Sequence, residues 1–167
     1  EKPIYNLIVR LTGDVEEAAD LTQDVFVAAY RSIESFRKES SEYTWLYRIA
    51  VNRCKNRFKQ IARKRVKETS SLDDENKNFD DAEPIASAKV DGSPWDNLHR
   101  KELRRRIEKA IDELPYDYKL VVILRDMQSL TYIEIAEATE LSIDVVRTRL
   151  ARGRAMLRQK LSSYINS

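Results

Sequence analysis

The sequence predicts an all-α protein: two small helical domains joined by a flexible acidic linker, the second ending in a helix-turn-helix. Three observations carry this. Three Gly and four Pro interrupt 167 residues, which leaves long helical windows. No alternating apolar run asks to be a strand. Charge falls in blocks. Residues 1–65 hold 13 basic and 9 acidic side chains, residues 66–96 hold 3 and 9, and residues 97–167 hold 14 and 10. Two basic lobes therefore flank an acidic stretch, although the formal net charge is only +2. An apolar content of 42% supports packed cores and excludes a disordered chain.

In the first lobe, residues 4–11 read as a helix closed by Gly13, which takes a left-handed cap conformation at little cost. Asp14 caps a second helix with Glu16 and Glu17 in its first turn, running to Ser32 or Phe36. Ala18, Leu21, Val25 and Ala29 follow helical spacing, and Thr22, Phe26, Tyr30 and Ile33 widen that face. Opposite lie Glu16, Asp20, Gln23 and Asp24, either a solvated face or a docking surface for a basic protein. A polar loop from Phe36 leads to a long helix over 44–64. Leu46, Ala50, Cys54, Phe58 and Ile61 form its core track. From Arg48 to Arg65 it holds eight Lys or Arg and no acid. Tyr47, Asn52 and Asn56 are placed on its accessible flanks, a mix that suits single-stranded nucleic acid; Trp45 is read as a core anchor.

Residues 66–96 lack periodicity and are rich in Asp and Ser, so they are expected to be a mobile linker. The second lobe starts with a helix over 95–113 carrying Leu98, Leu103, Ile107 and Ile111. A second helix over 118–127, dense in Leu120 to Leu124, is the centre of its core. Then comes a short helix from Thr131 with Tyr132, Ile135 and Ala136 turned inward, a brief turn at Thr139 to Leu141, and a helix capped by Ser142. This last helix keeps Val145, Val146, Leu150 and Leu157 as an apolar stripe, with Arg147, Arg149, Arg152, Arg154 and Arg158 around it. A short helix, a tight turn and a basic helix make a helix-turn-helix, whose second helix enters the major groove.

Cys54 is the only cysteine and His99 the only histidine, so an intramolecular disulfide is excluded and a structural zinc site is implausible. Cys54 reads as a small core residue and His99 as a helix-surface residue. There is no nucleophile elbow, no phosphate-cradling glycine loop and no metal cluster. The sequence thus points to no enzyme, no cofactor and no catalytic residue. It shows no signal peptide and no apolar run of spanning length, so a cytoplasmic protein without membrane insertion of its own is expected.

These motifs together resemble the extracytoplasmic-function sigma factors, nearest the envelope-stress branch. The residues that carry the likeness are Leu21-Thr-Gln-Asp-Val-Phe26 with Ala29-Tyr30, then Thr44-Trp-Leu-Tyr-Arg-Ile-Ala-Val-Asn52. In the second lobe they are Leu114-Pro115, Leu130-Thr-Tyr-Ile-Glu-Ile-Ala136 and Val146-Arg-Thr-Arg-Leu-Ala-Arg-Gly-Arg154. The resemblance implies a region-two domain at 1–65, a linker at 66–96 and a region-four domain at 97–167. It also implies a further helix before Ile4, and the chain begins at Glu1 without a methionine.

By the same resemblance the protein binds core RNA polymerase through Asp20, Gln23 and Asp24. It reads and melts the minus-ten strand through Phe36, Tyr47, Arg48, Asn52 and Asn56. It reads the minus-thirty-five duplex of promoter DNA through Arg147, Thr148, Arg149, Arg152 and Arg154. The linker corresponds to the segment that threads toward the polymerase active site. An anti-sigma factor, membrane-associated in this family, is implied as the restraint, with a role in a stress response. Asp144 stands where the family often has Gly. The alternative is a helix-turn-helix repressor or activator acting alone, which would need neither the Trp45–Asn52 motif nor the acidic stripe and would usually dimerise on a palindrome.

Overall fold

The computed structural model of the chain describes residues 1–68 and 93–165. These residues are all-α, with no strand among them. Helix α1 (Lys2–Thr12) ends at Gly13, whose φ of 69° is left-handed and whose N–H donates to Val9 O at 2.7 Å. Helix α2 (Val15–Ser32) is capped by Asp14, whose carboxylate accepts from the Glu16 and Glu17 amides at 2.9 and 3.2 Å. A single 3-10 turn (Ile33–Ser35) follows. Helix α3 (Glu42–Glu68) starts under a cap from Ser41, whose Oγ accepts the Thr44 amide at 3.1 Å. The core of this lobe is Ile4, Leu7, Ile8 and Leu11 against Ala18, Leu21 and Val25, closed by Ala50, Val51 and Cys54.

In the second lobe, α4 (Pro94–Asp112) is capped by Ser93. The ends of α3 and α4 therefore reach into the stretch expected to be linker, whose residues 69–92 lie outside the described residues. Helix α5 (Tyr116–Val122) begins after Pro115 and passes into a π-helical turn (Ile123–Met127). The sequence predicted one unbroken helix here. The widened turn ends at Ser129, held at φ 61°, and it lets Arg125 donate to Leu130 O at 2.9 Å. Helix α6 (Tyr132–Thr139) opens under a Thr131 cap: its Oγ1 accepts the Glu134 amide at 3.2 Å and donates to the Glu134 carboxylate at 3.0 Å. Glu140, at φ 59°, makes the turn into α7 (Ile143–Ile165).

Helix α7 crosses α5 at close range. A Cβ on Gly153 would stand 2.8 Å from Val122 Cγ2, so only glycine allows this approach. Val146 and Leu150 are fully buried, whereas Val145, expected on the apolar stripe, is 37% exposed. Gly153 is buried in its place as the small face of the stripe.

The two lobes are not apart. Helix α3 packs on α6, and α1 on α5 and the π turn, so one continuous apolar cluster runs through both. Tyr47 donates its hydroxyl to Gln128 Oε1 at 2.9 Å, and the rings of Phe58 and Tyr116 lie 4.8 Å apart. Arg10 donates to Met127 Sδ at 3.2 Å. The reason is that α3 is apolar over more of its girth than α1 and α2 cover. Tyr47 and Phe58 extend beyond the lobe's own core.

Candidate nucleic-acid interface

Five arginines of α7 differ in availability. Arg147, Thr148 and Arg152 are exposed, with Ala151 between them, on the side away from Val146 and Leu150. Their helix faces outward because Val146, Leu150 and Gly153 are spent on α5 and α6. The Arg147 guanidinium lies 6.0 Å from the Tyr132 ring centroid. Arg149 is half-buried, with NH1 3.7 Å from Asp117 Oδ1. Arg154 is gripped by both oxygens of Asp126, at 3.1 and 2.5 Å, and that hydrogen bonding raises its pKa. Asp117 and Asp126 lie on α5 and the π turn, so these two cations also tie the recognition helix to its support. Asp144 sits at the entry of α7, exposed, and Thr148 donates to its carbonyl at 2.9 Å.

The second cationic face is on α3. Asn52 and Asn56 are exposed one turn apart, with Lys55 and Lys59 exposed beside them. Phe36, from the loop, packs on Trp45 with ring centroids 4.8 Å apart, so Trp45 anchors the loop to the helix. Arg48 is half-buried, and its Nε is buried without a hydrogen-bond acceptor. Tyr47 is placed elsewhere: only 4% exposed, it points into the lobe junction. Asn52 and Asn56 stand roughly 140° and 180° round the helix from it. Burial raises the Tyr47 pKa, with smaller contributions from Tyr43 and Glu134. The structure thus brings Asn52 and Asn56 together and sets Tyr47 on another side.

Asp20, Gln23 and Asp24 are exposed along α2. Asp20 and Gln23 line a shallow groove with Phe26, Val27 and Tyr30. Val27 is 45% and Tyr30 81% exposed, and Ile33 is 58% exposed. The sequence reading put Tyr30 and Ile33 on the core face. Both are exposed because α1 and α3 cover only the Leu21–Val25 side of α2. Exposed apolar side chains thus lie beside Asp20 and Arg31 on this groove.

Cys54 is fully buried, and burial pushes its thiol up to about 12, which makes it a core residue. His99 is exposed on α4. No helix among the described residues is long and apolar enough to cross a membrane.

Fold and faces define a two-lobed, helix-turn-helix nucleic-acid-binding protein. The model of sigma-70 region 2 matches residues 1–66 and that of sigma-70 region 4 matches residues 104–157. The RNA polymerase sigma-H factor of Pseudomonas aeruginosa is 35% identical over 162 residues, spanning 97% of this chain and 82% of its own. The ECF RNA polymerase sigma-E factor of Haemophilus influenzae is 39% identical over 142 residues, 85% of this chain and 73% of its own. Among solved structures, the sigma factor RpoE of Bartonella quintana, crystallised with the anti-sigma factor NepR, superposes with a TM-score of 0.74 at 19% identity. It covers 95% of this chain and 89% of its own. The chain belongs to the extracytoplasmic-function branch of the sigma-70 family.

Proposed function

We propose that this chain is an alternative sigma factor that binds core RNA polymerase and directs promoter-specific transcription initiation in a stress response. One observation carries the reading: two cationic faces, on α3 and α7, share a chain with the acidic and apolar groove of α2. A regulator that works alone has no use for that groove. The face of Arg147, Thr148 and Arg152 suits the minus-thirty-five duplex, where arginine reads guanine in the major groove. Arg149 and Arg154 join it by exchanging an aspartate for a phosphate. Asn52, Asn56 and the Phe36 loop suit a melted minus-ten strand, with Arg48 as a further cation of α3; Tyr47 points away into the lobe junction. Asp20, Gln23 and Asp24, with Val27 and Tyr30, suit the polymerase clamp.

The protein acts in the cytoplasm, without catalysis of its own, and an anti-sigma factor restrains it. A solved relative bound to such a factor supports that partner. Run-off transcription with core polymerase across a promoter library tests the proposal. Start-site-specific transcripts that require this chain are expected. Tight operator binding with no effect on core polymerase would favour the stand-alone regulator.

A further inference from the structure

One cleft shares no residue with the three faces described above. Its cations are Arg10 of α1 and Arg100 and Arg104 of α4. Its floor is apolar, made of Leu103, Ile107 and Met127, and Glu108 is the one acid on its lining.

The charges on this lining do not balance. Glu108 accepts from Arg104 Nε at 3.1 Å, which answers one guanidinium of the three. Arg100 is exposed, with no hydrogen bond or ion pair among the described residues. Arg10 is half-buried, and its one acceptor there is Met127 Sδ at 3.2 Å. A guanidinium carries five N–H donors and a thioether is a weak acceptor, so most of the Arg10 donors are unanswered. Burial holds the Arg10 pKa below its ordinary value; Glu108 opposes this, Arg104 adds to it and Asp112 opposes it. Asp112 is itself engaged, 3.6 Å from Lys119 Nζ.

Shape says what kind of anion fits. Arg100 and Arg104 are one turn apart on α4, about 6 Å of rise. Two guanidiniums at that spacing, with a third from α1, match two joined phosphoryl groups better than one. Leu103, at 47% exposed, stands one turn before Ile107. A flat ring laid on them and on Met127 would leave water while its phosphates stay among the arginines. The cleft encloses about 220 Å3. That is below the roughly 300 Å3 from which a site takes in a whole drug-sized ligand, so part of the ligand stays in solvent.

We propose that this cleft binds a nucleoside diphosphate: Arg10, Arg100 and Arg104 hold the phosphoryl oxygens, the base lies on Leu103, Ile107 and Met127, and Glu108 accepts from an N–H or hydroxyl of the ligand. The site stands independently of the function proposed above, since no promoter or polymerase contact enters it.

Isothermal titration calorimetry on the full chain tests this with ADP, GDP, inorganic pyrophosphate and sodium sulfate at matched ionic strength. One saturable site per chain is expected for a nucleotide, with pyrophosphate weaker by about tenfold and sulfate not saturating. Arg100→Gln, an exposed change outside the core, should weaken nucleotide binding by about tenfold, and Arg10→Gln by at least as much, with circular dichroism unchanged. Leu103→Glu should abolish the advantage of nucleotide over pyrophosphate. Arg105→Gln, an exposed α4 cation outside the cleft, should change nothing. No saturable binding of ADP or GDP at millimolar concentration overturns the site. An equal loss in Arg105→Gln, or saturable binding of sulfate, overturns it too, because either means general attraction of anions. Equal affinity for pyrophosphate and nucleotide overturns the place of the base. Failure to start transcription would instead sink the sigma-factor reading and leave the calorimetry as it is.

Discussion

Arg149 and Arg152 differ by one neighbour. Asp117 holds Arg149 at 3.7 Å, while Arg152 is exposed with no ion pair among the described residues. Arg149→Ala should weaken binding of the upstream duplex element by about 1–3 kcal/mol. Asp117→Asn, which frees the same guanidinium, should tighten it by about two- to fivefold, because an exposed pair of this kind is weak. Anisotropy titrations with the cognate duplex check both signs. Asn52→Ala belongs to the other face. It should impair permanganate-detected melting by the holoenzyme while leaving duplex binding intact; identical defects from both variants would contradict the division of faces. A second residue-scale expectation concerns alkali. The Cys54 thiol is held up to about 12 in the fold, from an ordinary value of 9.0. Its raised value means that the folded chain keeps a proton that the unfolded chain releases. The stability it contributes is complete below pH 9 and is lost as pH rises toward 12. Urea melts at pH 8 and 10.5 should show that loss, and Cys54→Ala should reduce it.

Among the helices, the α5–α7 crossing has the least room. Gly153→Ala gains about 1 kcal/mol in helix propensity but meets Val122 at 2.8 Å, an overpacking worth about 1–3 kcal/mol. We expect a lower melting temperature, by roughly 2–4 °C for each kcal/mol by which packing exceeds propensity. A thermal melt of the full chain decides it. Most elements were legible beforehand because their signals are local. Asp14, Thr131 and Ser142 each accept the amide that their position predicts, and Gly13 takes the left-handed turn. What escaped was non-local. The π turn at Ile123–Met127 interrupts an unbroken apolar run, and nothing in residue type distinguishes it from α-helix. The exposure of Tyr30 and Ile33 depends on which neighbours α2 actually meets. Tyr47 looked like an accessible flank because its cover, Gln128, is 81 residues away.

Across the whole molecule, the proposed function gives three surfaces separable tasks. Asp20→Lys with Asp24→Lys reverses charge only on the exposed side of α2, where Asp20 lines the groove. The double variant should lose polymerase association in gel filtration and keep its affinity for the upstream duplex. Loss of both would mean that the groove and α7 are not independent. The sequence divided the chain into two lobes but did not reveal that they touch, since amphipathicity describes one helix at a time. The glycine at 153 has a mechanical corollary. Two rods pressed together without an intervening side chain have little freedom to slide. The groove-reading helix and its backing form a single lever. A push at Tyr116, the first residue of α5, would carry α7 with it rather than slip past it.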